Sequence, residues 1–83
     1  MTPQQLLVIL NDELVTLELH DRAPLTDQTA QVISFDDLIV NSLDALQVVM
    51  RLEEASGREL TLSQLREFAT VMDALNHLSA DSD

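Results

Sequence analysis

The sequence predicts an all-α fold, a four-helix bundle with a long first loop and a short third helix. Apolar side chains recur three and four residues apart in several segments, as they do on the buried side of a helix. Threonine followed three residues later by glutamine, a helix-start pattern, precedes two of these segments. No segment favours a strand, and a hydrophobic content of 46% with one glycine is too apolar for a disordered chain.

The first helix is predicted from its cap. Thr2 supplies the capping hydroxyl, Pro3 occupies the first helical position, and Gln5 stands three residues after the cap. We expect this helix to begin at Pro3 and to continue to about Leu19. One stripe of it is predicted to face the core: Leu6, Leu7, Leu10, Leu14 and Leu17.

A long connection is predicted over residues 20–40, where the helical periodicity is lost. Pro24 and the frequent Asp, Thr and Ser residues favour turns there. Loops longer than roughly 12 to 15 residues are uncommon in small domains unless they carry function or pack down. We expect apolar residues to anchor this loop to the core: Val32, Ile33, Phe35 and Leu38.

The second helix is predicted from Ser42 to about Ser56, with Gly57 as the left-handed residue that ends it. Its apolar residues form two faces. The face without charges is predicted to be core: Ala45, Val48, Val49 and Leu52. The other face combines apolar side chains with a polar border: Leu43, Leu46 and Met50 beside Gln47, Glu53 and Glu54. It suits a basic partner with a shallow apolar groove, although one or two of its residues could instead pack under the long loop.

Two further helices are predicted towards the C-terminus. Thr61 and Gln64 repeat the cap pattern and favour a short helix to about Phe68. Thr70 can cap a last helix, which a polar tail over residues 80–83 follows. The side chains expected to face inward are Leu62, Leu65 and Phe68 in the short helix, and Val71, Ala74, Leu75 and Leu78 in the last one.

Composition and charge exclude several classes of function. Four Lys+Arg against fifteen Asp+Glu give a formal charge of −11, which repels nucleic acid and anionic lipid surfaces and favours basic partners. The longest purely apolar run, at residues 6–10, is far below the roughly 18 residues that span a bilayer. There is no cysteine for a disulfide or a thiolate. We expect one cytoplasmic, soluble, monomeric domain spanning residues 1–83.

The usual signatures of an enzyme are missing. A single glycine excludes a glycine-rich phosphate loop, and His20 and His77 lie in different segments without ligand spacing, so we expect neither a metal site nor a catalytic residue. The acidic pairs at residues 36–37 and 53–54 are interpreted as solvated charge, because adjacent residues diverge on a helix.

Ser42 is the residue whose position admits a chemical role. A helix N-terminus presents unsatisfied backbone N–H groups and the positive end of the peptide dipole, so it suits a phosphate group bonded to this hydroxyl. The alternative is structural: Asn41 or Ser42 merely caps the helix, and Asp44 interacts with its dipole. The residues themselves leave both interpretations open.

An ordered pattern across about the last 50 residues resembles the acyl carrier protein family, whose helical-bundle fold agrees with the one predicted above. The residues that carry the resemblance are Phe35, Leu38, Asn41, Ser42, Leu43, Glu53, Glu54, Gly57, Leu60, Thr70 and Val71. It implies that Ser42, followed by Leu43, receives a 4'-phosphopantetheine arm from coenzyme A, and that the arm's thiol holds cargo as a thioester. It also implies a carrier without catalytic activity of its own.

The partners that the resemblance implies are a phosphopantetheinyl transferase, which supplies Mg2+, and acyl-loading and synthase-type enzymes with basic docking patches. The residues expected to bind them are Leu43, Asp44, Leu46, Gln47, Met50, Glu53 and Glu54.

Some positions depart from the family pattern. Asn41 and Ile39 replace the usual aspartate and glycine, and because an amide is a poorer Mg2+ ligand, a transferase would depend more on Asp44. Gln47 and Arg51 make the second helix less acidic than in fatty-acid carriers.

The sequence supports three hypotheses for the function of this protein. The leading one is a freestanding acyl carrier of polyketide or fatty-acid-like specialised metabolism. The leucine-rich segment from Leu60 to Leu65, followed by Thr70-Val71, also resembles peptidyl carriers, so the second is an aminoacyl or peptidyl carrier of a nonribosomal peptide-type pathway. The third is an acidic helical interaction module with an unmodified Ser42.

Overall fold

The computed structural model describes residues 2–18 and 24–79 and is helical in architecture. Its helices, in chain order, are α1 (Pro3–Thr16), α2 (Asp27–Ala30), α3 (Phe35–Leu38), α4 (Ser42–Ser56), α5 (Leu62–Glu67) and α6 (Val71–Ser79). The four predicted helices correspond to α1, α4, α5 and α6, and the predicted fold class is confirmed. The predicted polar tail at residues 80–83 and His20 lie outside the described residues.

The helix starts follow the predicted caps. The Thr2 hydroxyl accepts a hydrogen bond from the Gln5 amide at 3.1 Å, and the Gln5 side chain accepts one from the Thr2 amide at 2.9 Å. Thr61 and Gln64 repeat this reciprocal pair at the start of α5, at 3.1 and 3.0 Å. The Thr70 hydroxyl accepts from the Asp73 amide at 3.2 Å. Each pair satisfies backbone donors that a helix start otherwise leaves without partners.

The helix ends have separate causes. Gly57 ends α4 with a φ of 72°, in the left-handed region that glycine adopts without steric cost, as predicted. The end of α1 was predicted too late. The helix stops at Thr16 instead of near Leu19, because Glu18 takes a φ of 62° and breaks the regular backbone after Leu17.

The first connection packs against the bundle through two short helices that periodicity did not predict. The Asn11 side chain on α1 holds it in place: Nδ2 donates to the Leu25 carbonyl at 2.9 Å, and Oδ1 accepts from the Leu25 amide at 2.7 Å. The Ile33 carbonyl accepts from the first amide of α6, that of Val71, at 2.8 Å. These hydrogen bonds hold the connection against α1 and α6.

The anchors of the connection agree with the prediction except at Val32. Phe35 and Leu38 are buried and Ile33 packs partly against the core, but the Val32 side chain is 79% exposed, so its prediction as an anchor was wrong. Its amide bonds to Thr29 in the turn that follows α2, which leaves its side chain in solvent. Other residues, not predicted, are buried in its place: Leu25, Ala30 and Ile39.

The core lies where α1, α4 and α6 meet, and α5 packs against α3 and α4 at the end where α4 begins. The face of α4 predicted to be core and the predicted inward face of α6 are both buried. On α1 the predicted stripe is buried from Leu6 to Leu14, and Leu17 is partly buried. Leu65 is fully buried, whereas Leu62 and Phe68 pack on the edge of the core. No helix within the described residues has the length and apolarity needed to cross a membrane.

Candidate functional site

The start of α4 assigns different tasks to Asn41 and Ser42. Asn41 is the N-cap: its backbone is extended, with φ −83° and ψ 124°, and its Oδ1 accepts from the Leu43 amide at 2.8 Å. Ser42 is therefore the first helical residue, and its exposed hydroxyl takes no part in capping. Of the two cap residues that the sequence left open, the structure selects Asn41.

Within the described part of the chain, the first turn of α4 leaves unpaired the amide at its third position, which side-chain caps satisfy in α1 and α5. Asp44 stands at the position that Gln5 and Gln64 occupy in α1 and α5, but it does not reach back to the amide of its cap. Among the described residues, the amides of Ser42 and Asp44 have no hydrogen-bond acceptor. The region around the Ser42 hydroxyl thus carries donors and the positive end of a fifteen-residue helix.

Arg66, from the last turn of α5, adds a positive charge to this site. Its Nη2 donates to the Ser42 Oγ at 3.2 Å, and its Nε lies 3.7 Å from Asp36 Oδ1 on α3. It is one of the four arginines of a sequence that has no lysine. Sequence reasoning did not find Arg66, since 24 residues separate it from Ser42 and no spacing rule connects them.

An apolar face extends along α4 from the serine. Leu43, Leu46 and Met50 are 70%, 45% and 59% exposed, so the alternative that they pack under the long loop is not what the structure has. Val40, 82% exposed just before the cap, adjoins this set in sequence and was missed because it ends the irregular connection. We call Val40, Leu43, Leu46 and Met50 the apolar face.

The polar residues predicted beside this face differ in their surroundings. Gln47 and Glu54 are exposed, whereas Asp44 and Glu53 are half-buried. The Glu53 carboxylate accepts from the Leu60 amide at 3.2 Å, so it holds the segment between α4 and α5. Gln47 and Glu54 are therefore more available to a partner than Glu53 is.

The remaining candidate residues have structural partners. The rings of His77 and Phe68 lie 5.4 Å apart at an angle of 46°, and the His77 carbonyl accepts from Arg58 at 2.7 Å. Asp36 faces Arg66, and the Asp37 amide is capped by Ser34. Across residues 2–18 and 24–79, no group of three His, Cys, Asp or Glu side chains could hold a metal ion.

The model of a family described as phosphopantetheine attachment site matches residues 14–78, which is most of the chain. The chain belongs to this family. The resemblance to acyl and peptidyl carrier proteins is thereby confirmed, and no solved structure matches the chain.

Members of this family are carriers and not enzymes, and they bear a covalently attached 4'-phosphopantetheine. Carrier proteins interact with a phosphopantetheinyl transferase and with synthase enzymes. The residues of this carrier protein fit such a group: an exposed hydroxyl at a helix start, unsatisfied amides beside it and a guanidinium at hydrogen-bond distance suit a phosphate ester.

Proposed function

We propose that Ser42 is the residue that carries the 4'-phosphopantetheine arm. The observation that carries the proposal is that Asn41 does the capping, which leaves the Ser42 hydroxyl exposed and available at the start of α4. Of the other described serines, Ser63 is likewise exposed in the first turn of a helix, but the remaining three have hydroxyls bonded to backbone groups. The Ser34 and Ser56 hydroxyls accept hydrogen bonds from the Asp37 and Arg58 amides, and the Ser79 hydroxyl donates to the Asn76 carbonyl.

The transfer is a phosphoester exchange in which Ser42 supplies the nucleophile. Its Oγ forms a bond to the phosphorus of coenzyme A that bears the pantetheine, while the bond from that phosphorus to the bridging oxygen of the pyrophosphate breaks and adenosine 3',5'-bisphosphate leaves. The serine proton passes to a base of the transferase, which also supplies Mg2+. Asp44, two residues further on and half-buried, is the carboxylate of this chain nearest in sequence to offer that ion an oxygen, because Asn41 offers an amide.

The thiol at the far end of the arm, when bound, holds cargo as a thioester. The bundle contributes recognition, and the tether raises the effective concentration of the cargo at each partner enzyme. The apolar face, with Asp44, Gln47, Glu53 and Glu54 beside it, is the surface that we propose for partners with basic docking patches. Charge would steer the encounter and apolar contacts would hold the complex.

We infer that the cargo is an acyl group in a polyketide or fatty-acid-like pathway of specialised metabolism. The register of residues around Ser42-Leu43 supports an acyl carrier, and Gln47 and Arg51 support partners other than those of primary fatty-acid synthesis. An aminoacyl or peptidyl cargo is the second candidate, which the leucine-rich segment before Thr70-Val71 favours. Loading assays with acyl-transferring and amino-acid-adenylating enzymes, followed by intact mass, distinguish the two.

The attachment is tested by incubating the purified chain with coenzyme A, Mg2+ and a broad-specificity phosphopantetheinyl transferase. We expect one arm per chain, located at Ser42 by tandem mass spectrometry. Ser42→Ala should abolish modification, whereas Ser63→Ala, which removes another exposed serine in the first turn of a helix, should leave it intact. A folded wild-type chain that gains no arm would support the acidic interaction module instead.

A further inference from the structure

We propose that Arg66 binds the phosphate of the arm and so fixes the base of the arm against α3 and α5. This inference rests on the proposed attachment at Ser42. It starts from one contact, the 3.2 Å hydrogen bond from Arg66 Nη2 to Ser42 Oγ. Attachment places phosphorus on the same oxygen to which Arg66 already donates.

The chemistry of that oxygen changes on attachment in a way that favours the phosphate. As an ester oxygen, Oγ becomes a weaker acceptor, while the charged oxygens of a phosphodiester lie one bond beyond phosphorus. Hydrogen bonds from a guanidinium to such oxygens are charge-assisted and are roughly twice as strong as neutral ones. The planar fork of arginine can also donate two parallel bonds to a phosphate, which a lysine cannot do.

The electrostatics of the chain give Arg66 a specific task. A phosphodiester adds a negative charge to a protein whose formal charge is already −11. Asp44, two residues after Ser42 on α4, and Asp36 on α3 add to the repulsion. Arg51, by contrast, lies nine residues along α4, about 13 Å away at 1.5 Å per residue, and pairs with Asp12 and Glu13 at 3.9 Å.

Arg66 is positioned by α5, and its ion pair with Asp36 is weak. Its neighbour Leu65 is fully buried and anchors α5, which packs against α3 and α4. Its Nε lies 3.7 Å from Asp36, and the two side chains are 46% and 66% exposed, so this pair is a weak one. A phosphate beside Ser42 would compete with Asp36 for the guanidinium. The arm would then leave the protein from a fixed point between α3 and α5 instead of rotating freely about Oγ.

The first test compares arginine variants of the purified carrier. Each is prepared with the arm (the armed form) and without it (the unarmed form). The variants are Arg66→Gln, Arg66→Lys and, as the control, Arg51→Gln. The readouts are the 31P chemical shift of the attached phosphate and the difference in melting temperature between the two forms. With excess transferase we expect every variant to be modified.

Loss of Arg66 should change both readouts. In Arg66→Gln the 31P signal moves towards that of a free phosphodiester. The melting temperature of the armed form minus that of the unarmed form falls by a few degrees compared with wild type. Arg66→Lys recovers part of both effects, because it restores the charge without the planar fork. Arg51→Gln shows the wild-type 31P shift and the wild-type difference in melting temperature.

The second test uses neighbouring acidic residues in the first turn of α3. Asp36→Asn removes the competitor of the phosphate, so we expect the armed form to gain stability relative to the unarmed form. Asp37→Asn makes the same change of charge in the same turn, but Asp37 forms no ion pair among the described residues. It should therefore produce a smaller gain.

Several outcomes would overturn the inference while leaving the proposed function in place. They are a modified Arg66→Gln protein with the wild-type 31P shift and melting difference, or Arg66→Gln and Arg51→Gln proteins that change alike. Failure of Arg66→Gln to accept the arm, with Arg66→Lys accepting it, would also overturn it, since Arg66 would then serve the transferase. A wild-type chain that gains no arm at all instead refutes the attachment at Ser42.

Discussion

At the start of α4, one residue stabilises the helix and the next one presents a hydroxyl to solvent. Asn41 satisfies a backbone donor of the helix, and Ser42 presents its hydroxyl to solvent and to Arg66. In a chain whose serine itself capped the helix, esterification of that serine would weaken the cap. Here the cap and the ester can coexist.

This division predicts unequal costs for two substitutions. Asn41→Ala should lower the free energy of unfolding by about 1 kcal/mol, because it removes the cap, whereas Ser42→Ala should cost less than that. Chemical denaturation of the unmodified chains measures both. Asn41→Ser, which restores a capping oxygen, should recover most of the loss. A larger loss at Ser42 than at Asn41 would contradict the assignment of the cap.

At the scale of the element, α4 buries one side and exposes the other. Leu52 is fully buried, whereas Leu46 on the apolar face is 45% exposed. We therefore expect Leu52→Ala to cost roughly 2 to 5 kcal/mol in unfolding free energy and Leu46→Ala about 0.5 kcal/mol or less. Urea denaturation of the two variants provides the comparison. Equal losses would mean that the faces have been assigned wrongly.

The end of α4 supports a prediction about the backbone. A Cβ added at Gly57 would meet no atom within 4 Å, so the cost of Gly57→Ala comes from its φ of 72° and not from a clash. We expect a loss of about 1 to 2 kcal/mol in unfolding free energy. Gly57→Asn should cost less, since asparagine tolerates the left-handed region better than alanine does. Alanine and asparagine variants of equal stability would rule out backbone strain as the cause.

Elements whose signals are local could be predicted from the sequence, and those that depend on distant contacts could not. The caps at Thr2 and Thr61 and the glycine that ends α4 act within a few residues, so their patterns sufficed. The short helices of the first connection are each four residues long, too short to show periodicity. The bond between Asn11 and Leu25 joins residues 14 apart, which no local rule anticipates.

The same limit applied to the site. Ser42 could be singled out because the role that we propose for it depends on a helix start and on a family pattern, both visible in the sequence. Arg66 could not, because its contact with Ser42 depends on how α5 packs beside α4.

At the scale of the whole molecule, the chain combines a formal charge of −11 with an exposed apolar face, and these two features should act on different steps of binding. Glu54→Gln should reduce the rate of association with the transferase and weaken its dependence on salt. Leu46→Ala should instead speed dissociation and leave the salt dependence unchanged. Stopped-flow binding at several ionic strengths separates the two. Identical salt dependence in wild type and Glu54→Gln would remove Glu54 from the encounter.

The sequence has four arginines and no lysine, and the cation beside Ser42 is one of those arginines. A thioester is an activated carbonyl that a nearby primary amine attacks, giving a stable amide and stranding the cargo. A guanidinium stays charged and holds no free lone pair of that kind. If cargo returns to the surface near its tether, Arg66 offers it positive charge without a side-chain amine, so these 83 residues contain no lysine at which the cargo could be stranded.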